Sequence, residues 1–305
     1  MALQQHKVLL ILVSLLFTFP GATVGQQQNV GPITVTVTDK YGRYVAGLSK
    51  DQITILDEKI PQEIVRFEQL DEPLSLVLLF DVSWSMSAAG LTTARDEFLR
   101  FVDAGSKSSD YAIIGFGKQA SVLTEFTQDR DSLVAGLNEL ANLKRSHSTG
   151  FYDAFSLALE KVQTGRNKKR VILIVSDGVD NDSNSRMKDV REKLRKTDVL
   201  VYGVGVIEAE LESDLNAICS MTGGRIFYSR NLADTGIIFE ALTLELKNQY
   251  SVTFRPSGVI QDGEWRRLKY KVAPLEAKKN PNSPSSQKVQ LNIRGREGYF
   301  FMKSP

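Results

Sequence analysis

The sequence predicts an α/β protein: a Rossmann-like, doubly wound, mostly parallel sheet inserted between β segments that combine into a β-sandwich. Three observations carry this prediction. Apolar strand-like runs alternate with amphipathic helical stretches across residues 73–248, and that alternation builds a parallel sheet with helices on both faces. Short stretches rich in β-branched residues, with period-two alternation, stand before it and after it. Neither flank holds enough strands to close a core alone, so residues 30–72 and 249–303 are expected to share one sandwich.

In chain order, ITVTVTD, QITILDE and EIVRFEQL are the first strands, with a polar turn (DKYGR) after the first. LSLVLLF (74–80) is apolar on both faces, as a central parallel strand must be. Leu91, Ala94, Phe98 and Val102 recur at helical spacing, and YAIIGF (111–116) is the next strand. Leu133, Leu137 and Leu140 mark a helix, and Phe151, Ala154, Phe155, Ala158 and Val162 mark another. RVILIVS (170–176) is a strand, Met187, Val190 and Leu194 a helix, and VLVYGVGV (199–206) a strand. Leu211, Leu215 and Ile218 mark a helix, RIFY (225–228) an edge strand, and Ile237, Ala241 and Leu242 the last helix, over 234–247. YSVTFRP, WRRLKYKV, KVQLNIR and GYFFM return to the β pattern, and KKNPNSPSSQ between them reads as a polar loop or a partly disordered stretch.

Composition narrows the function classes. The chain has 305 residues, 42% hydrophobic and 24% charged, with a net charge of +2. That is globular composition with length for a substantial core. The near balance of charge makes nucleic acid an unexpected partner. Two His (His6, His147) and one Cys (Cys219) argue against a His/Cys zinc site, an iron–sulfur cluster or an internal disulfide. Cys219 lies at helical spacing with Leu215 and Ile218 and reads as a small buried hydrophobe.

Residues 1–25 read as a secretory signal peptide. Lys7 is the positive start, Val8 to Phe19 the apolar run, and a Pro-Gly break with small residues precedes a cut after Gly25. The run falls short of the roughly 20 residues of a membrane span, though an uncleaved anchor is the alternative. No later segment is long and apolar enough to cross a bilayer. The expected location is therefore exported: periplasm, cell surface or extracellular medium.

The chemistry-bearing motif follows the first α/β strand. Asp81-Val82-Ser83-Trp84-Ser85 places one carboxylate and two hydroxyls on a turn at the carboxyl end of a buried strand, where open α/β sheets hold ligands. Ser148-Thr149-Gly150 and Ser176-Asp177-Gly178 end at the same edge. Oxygen donors of this kind suit a hard octahedral cation, Mg²⁺ first, with Mn²⁺ or Ca²⁺ as variants. Ser83, Ser85 and Thr149 offer neutral oxygens, and Asp81 and Asp177 balance the charge, partly through water. One coordination position then stays open to an outside carboxylate.

This set resembles the metal-ion-dependent adhesion site (MIDAS) of the von Willebrand factor A domain family: Asp-x-Ser-x-Ser, a distant Thr, a distant Asp. Asp81, Ser83, Ser85, Thr149 and Asp177 fill it in order. The flanks VTVTDKYGRYVAGLSKDQITILDEKIPQEIVRFE, NQYSVTFRP and RGREGYFF resemble exported bacterial VWFA-related domain proteins, so the likeness covers most of residues 31–301. It implies a VWA domain over 73–248, acting in adhesion-type protein binding, with a divalent cation that captures a Glu or Asp of a protein partner. In the family such domains shift between closed and open forms as the last helix moves.

Two positions depart from the family pattern. Trp84 stands where Gly is frequent; it is a contact anchor for a partner or it folds onto its own loop. His147, in LKRSHSTG, also replaces a usual Gly; it tunes the site near neutral pH or is a solvated loop residue. Asp180 and Asp182 are expected to cap the next helix rather than add field at the metal. The basic stretches RNKKR and RMKDVREKLRK read as solvated faces.

Catalysis is not expected. A phosphatase of the haloacid-dehalogenase type needs a second Asp where Ser83 stands, and a Ser-His-Asp hydrolase would have only His147 after signal removal. No P-loop, GxGxxG or HExxH motif is present. The remaining alternative is a structural envelope protein whose metal only stabilises the fold. Oligomeric state is not legible.

Overall fold

The computed structural model of the chain describes residues 29–302 apart from 85, 87, 177–179, 207–211, 230–234, 259 and 277–287. The signal-peptide reading over 1–25, Leu211 and the polar loop KKNPNSPSSQ lie outside the described residues.

Strand β1 (Val30–Asp39), β2 (Ile53–Asp57), β3 (Ile60–Pro61) and β4 (Glu63–Leu70) open the chain. The α/β region follows as β5 (Leu74–Asp81), α1 (Ala88–Ala104), β6 (Asp110–Phe116), β7 (Ala120–Thr127), α2 (Arg130–Glu139), α3 (Phe151–Val162) and β8 (Lys169–Val175). It continues with α4 (Met187–Arg195), β9 (Leu200–Val206), α5 (Glu212–Thr222), β10 (Ile226–Ser229) and α6 (Thr235–Lys247). Then come β11 (Gln249–Arg255), β12 (Glu264–Val272), β13 (Leu275–Glu276), β14 (Lys288–Val289), β15 (Leu291–Gly295) and β16 (Gly298–Phe301).

The central sheet runs β10-β9-β8-β5-β6-β7. All neighbours are parallel except β6–β7. The sequence reading missed β7: ASVLTEFT is only partly buried at the sheet edge, so it lacks the continuous apolar run that announces a central strand. By contrast, all eight residues of β5 are buried, which is why its position in the middle was legible.

Alternation along β5 sorts the two cores. Leu74, Leu76, Leu78 and Phe80 join Ala94 and Phe98 of α1, Leu133 and Leu137 of α2, and Phe239 and Leu242 of α6. Val77 and Leu79 face the other way, onto Phe155 of α3, Val190 of α4 and Ile218 and Cys219 of α5. Burial pushes the Cys219 thiol far above its usual range, so it packs as an inert hydrophobe. On α6 the apolar stripe is Ile238, Phe239, Leu242 and Leu246, while Ile237 is 74% exposed, a one-residue correction to the helical phase read from sequence.

The flanking strands form two facing antiparallel sheets, β15-β1-β11-β4 and β16-β12-β2-β3. Each mixes strands from before and after the α/β region. Ile33, Val35 and Val37 of β1 and Val252 and Phe254 of β11 share one core with Ile55 of β2, Leu268 of β12 and Tyr299 of β16, which makes a sandwich. Within it, buried Asp57 takes both the Arg266 guanidinium and the Tyr299 hydroxyl. The α/β region leaves and re-enters the sandwich at paired positions, Leu70 opposite Gln249, so the insertion scarcely disturbs the sheet.

The amino-terminal edge of the central sheet is fastened to the sandwich. Glu245, fully buried in the last turn of α6, takes Arg225 Nε at 2.8 Å, the Tyr44 hydroxyl at 3.0 Å, and Arg294 of β15. Gln249 donates to the Tyr202 hydroxyl at 2.7 Å, and Lys169 Nζ to the Leu246 carbonyl at 2.7 Å. Gly223, at φ 88°, ends α5; a Cβ there would stand 2.8 Å from the Gly295 backbone, so only glycine permits this close approach.

Candidate functional site

The carboxyl edge of the sheet holds the residues that the sequence singles out. β5 ends at Asp81, whose side chain is fully buried. One carboxylate oxygen accepts the Ser83 amide at 2.8 Å and the other accepts the Ser176 hydroxyl at 2.6 Å. The first bond is the short-range Asx contact that turns the chain just after the strand. The second reaches across from the end of β8. Both donors are neutral, and together they hold the carboxylate in one orientation.

Backbone bonds join this turn, the end of β6 and the Thr149 loop. The Val82 amide donates to Phe116 at 2.8 Å and the Trp84 amide to Ser146 at 3.1 Å. Gly150 donates to Gly117 at 2.8 Å, and a Cβ on Gly150 would meet the Lys118 carbonyl at 2.9 Å. The threonine loop therefore needs a glycine after Thr149 to lie this close to β6. Ser83 and Thr149 are each only 2% exposed.

Asn181 is the organiser that sequence reasoning missed. Its Oδ1 accepts the Thr149 amide at 2.7 Å and its Nδ2 donates to the His147 carbonyl at 3.1 Å. The amides of Asn181 and Asp182 return bonds to the Thr149 carbonyl. The segment after β8 is thus locked to the threonine loop. Asp180 and Asp182 do not cap the next helix: Asp180 accepts the Tyr152 amide, at the start of α3, and Asp182 pairs with Lys118 at 3.4 Å. The start of α4 is instead closed by Asp189 on the Arg186 amide. The only signal for these roles was the density of Asp, Asn and Ser in SDGVDNDS.

Ser85 and Asp177, the second serine and the distal aspartate of the predicted set, lie outside the described residues. The structure places Asp81, Ser83 and Thr149 at one edge. Among the described residues no group of three or more His, Cys, Asp or Glu side chains gathers. The described oxygen donors at this edge, the Asp81 carboxylate and the Ser83 and Thr149 hydroxyls, are of the kind a hard cation takes.

Trp84 and His147 meet. Their rings stack at 5.9 Å with 20° between planes, and the Arg145 guanidinium lies 4.9 Å from the Trp84 ring centre. Trp84 nonetheless remains 55% exposed. It does fold against its own loops, and it also presents apolar surface to solvent. Arg145 donates to the carbonyls of Ser83 and Met86, so it braces the turn that follows Asp81. Beside the loop, the Tyr152 phenol is pushed far above its usual range by burial and by Asp214, and it stays a proton donor.

Comparison with known proteins follows this geometry. A family model described as von Willebrand factor type A domain matches residues 75–241, more than half of the chain. An uncharacterized protein of Borreliella burgdorferi is 22% identical over 140 residues, which is 44% of this chain. The chain spans 41% of that relative's length. Proximal thread matrix protein 1 from the mussel byssus superposes with a TM-score of 0.51 at 15% identity, over 58% of this chain and 49% of its own. The same mussel protein has been solved with a zinc-occupied MIDAS motif (TM-score 0.50, 18% identity, 61% of this chain, 48% of that one). A von Willebrand factor type A protein from Catenulispora acidiphila gives 0.50 at 12% identity, over 89% of this chain and 74% of that one. At such identities the structural likenesses carry the fold. Among the described residues no helix is long and apolar enough to cross a membrane.

Proposed function

This chain belongs to the von Willebrand factor type A domain family, and from that premise we propose that it is an exported, metal-dependent protein-binding module. Asp81, Ser83, Ser85, Thr149 and Asp177 hold a divalent cation, Mg²⁺ first, and a partner protein supplies a Glu or Asp to it. The observation that carries the reading is the buried Asp81 carboxylate, which accepts the Ser83 amide and the Ser176 hydroxyl at the sheet edge beside the Thr149 loop. When bound, the cation supplies a Lewis-acidic position for an outside carboxylate. The protein's part is to hold the oxygens: the Ser83 amide and Ser176 hydroxyl orient Asp81, and Asn181 fixes the threonine loop. The zinc-occupied motif of the mussel protein supports a divalent cation in this fold. Export rests on the composition of residues 1–25. After residue 25 the sequence holds a single histidine, His147, and it stacks on Trp84, which favours binding over turnover.

Calorimetry with Mg²⁺ or Mn²⁺, and then with a blocked Gly-Glu-Gly peptide, tests the reading. Metal binding is expected in the wild type and lost in Asp81→Ala; the peptide is expected to bind only when metal is present. A metal that binds and raises the melting temperature but never recruits the carboxylate would assign the site to fold stabilisation instead.

A further inference from the structure

Beside the metal turn lies a cavity of about 250 Å³ between the sheet, α1 and α2. Its inner wall is apolar: Phe80, Val82, Leu137 and Leu140 are all buried. Arg95 and Arg145 also line it. Arg95 donates through Nε and Nη2 to its sequence neighbour Asp96, each at 3.3 Å, and through Nη1 to the Asn138 amide oxygen. Arg145 donates through one terminal nitrogen to the Ser83 and Met86 carbonyls, and its Nε is buried with no hydrogen-bond partner. A half-buried cation with an orphaned donor is costly unless something answers it. The stack on Trp84 answers it in part.

We propose that this cavity binds a small organic carboxylate with an apolar body, such as a phenylalkanoate or a medium-chain fatty acid. The apolar wall takes the ring or chain, and the carboxylate meets the two arginines, whose planar donors match it. The volume, below the roughly 300 Å³ at which drug-sized pockets begin, limits the body to one ring or a short chain. The site is separate from the metal position, though both share Arg145 as a wall, because that residue also braces the Ser83 and Met86 carbonyls.

Methyl-detected NMR titration of the purified protein with 4-phenylbutyrate, in chelator and again in Mg²⁺, tests it. The Leu91, Leu137 and Leu140 methyls are expected to shift with the same affinity in both conditions. The neutral analogue 4-phenylbutanamide and the Arg145→Gln protein are each expected to bind about tenfold more weakly. Because Arg145→Gln also loosens the metal turn, two exposed-rim variants accompany it: Ala141→Phe is expected to block the cavity and Arg95→Gln to weaken binding several-fold. No methyl shift at millimolar ligand, equal binding of the amide, or full binding by Ala141→Phe overturns the proposal. So does binding that needs Mg²⁺ and disappears in Asp81→Ala, since that result moves the carboxylate to the metal and leaves the metal reading intact.

Discussion

The two edges of the central sheet treat buried carboxylates in opposite ways. At the amino-terminal edge Glu245 is met by two guanidiniums and a phenol, one from each of three separate segments. At the carboxyl edge Asp81 takes an amide and a hydroxyl. Charge-assisted pairs fix a carboxylate strongly and leave it little else to bind. Neutral donors orient a carboxylate while preserving its charge for a cation. The same side-chain chemistry therefore makes a latch at one edge and a candidate receptor at the other, and the difference lies in what the neighbouring loops bring.

The largest effect should follow from breaking the latch. Glu245→Ala leaves Arg225, Arg294 and Tyr44 without their shared acceptor and opens a void beneath α6. The expected loss is about 4 kcal/mol of unfolding free energy in urea, with Mg²⁺ affinity unchanged in the folded protein. Loss of metal affinity in a still-folded variant would show that the two edges are coupled through α6 and would break the comparison.

Lys169 sharpens it through pH. Burial lowers its ammonium to about 8, against the opposing pull of Glu72, Asp71 and Glu245. The folded-state value lies below the unfolded one, so between about pH 8 and 10.5 the unfolded chain holds more protons and stability rises with pH. Below pH 8 the penalty is fully present. Relative to Lys169→Met, the wild type should gain about 2–3 kcal/mol across that window. A flat difference between the two proteins would mean that Lys169 is solvated and that the edge is looser than its contacts suggest.

The reasons why some of this was legible in the sequence and some was not are local. Apolar runs such as LSLVLLF and the Asp-x-Ser-x-Ser turn after it announce themselves, because burial on both faces and a sharp turn each demand few residue types. The latch was hidden for the opposite reason. Glu245 occupies the apolar stripe of α6 beside Leu242 and Leu246, but its partners come from residues 44, 225 and 294, and no local pattern pairs them. Asn181 was passed over because one amide among several Asp and Ser residues carries no period. β7 was missed because an edge strand alternates weakly.

At the carboxyl edge, Asp81→Asn keeps an acceptor for the Ser83 amide while removing the charge. Its metal-free stability is expected to stay within about 1 kcal/mol of wild type. It should lack the metal-dependent stabilisation, about 2.7 kcal/mol at a concentration one hundred times Kd, read as a missing rise in melting temperature. A normal rise in this variant would place the cation elsewhere.

The smallest effect concerns the rim. Trp84 is exposed over half its surface yet stacked on His147 and faced by Arg145. Trp84→Ala should cost about 0.5 kcal/mol, and a double-mutant cycle with His147→Ala should give a coupling of about 0.5–1 kcal/mol. That is far less than the latch, because a solvent-facing stack loses little when water replaces it. The ring's other use would appear only in binding: Trp84→Ala is expected to weaken capture of the Gly-Glu-Gly peptide several-fold while leaving Mg²⁺ affinity alone. Equal loss in stability and in peptide binding would mean that the stack only shapes the loop, and the carboxyl edge would then be receptor at its metal but not at its rim.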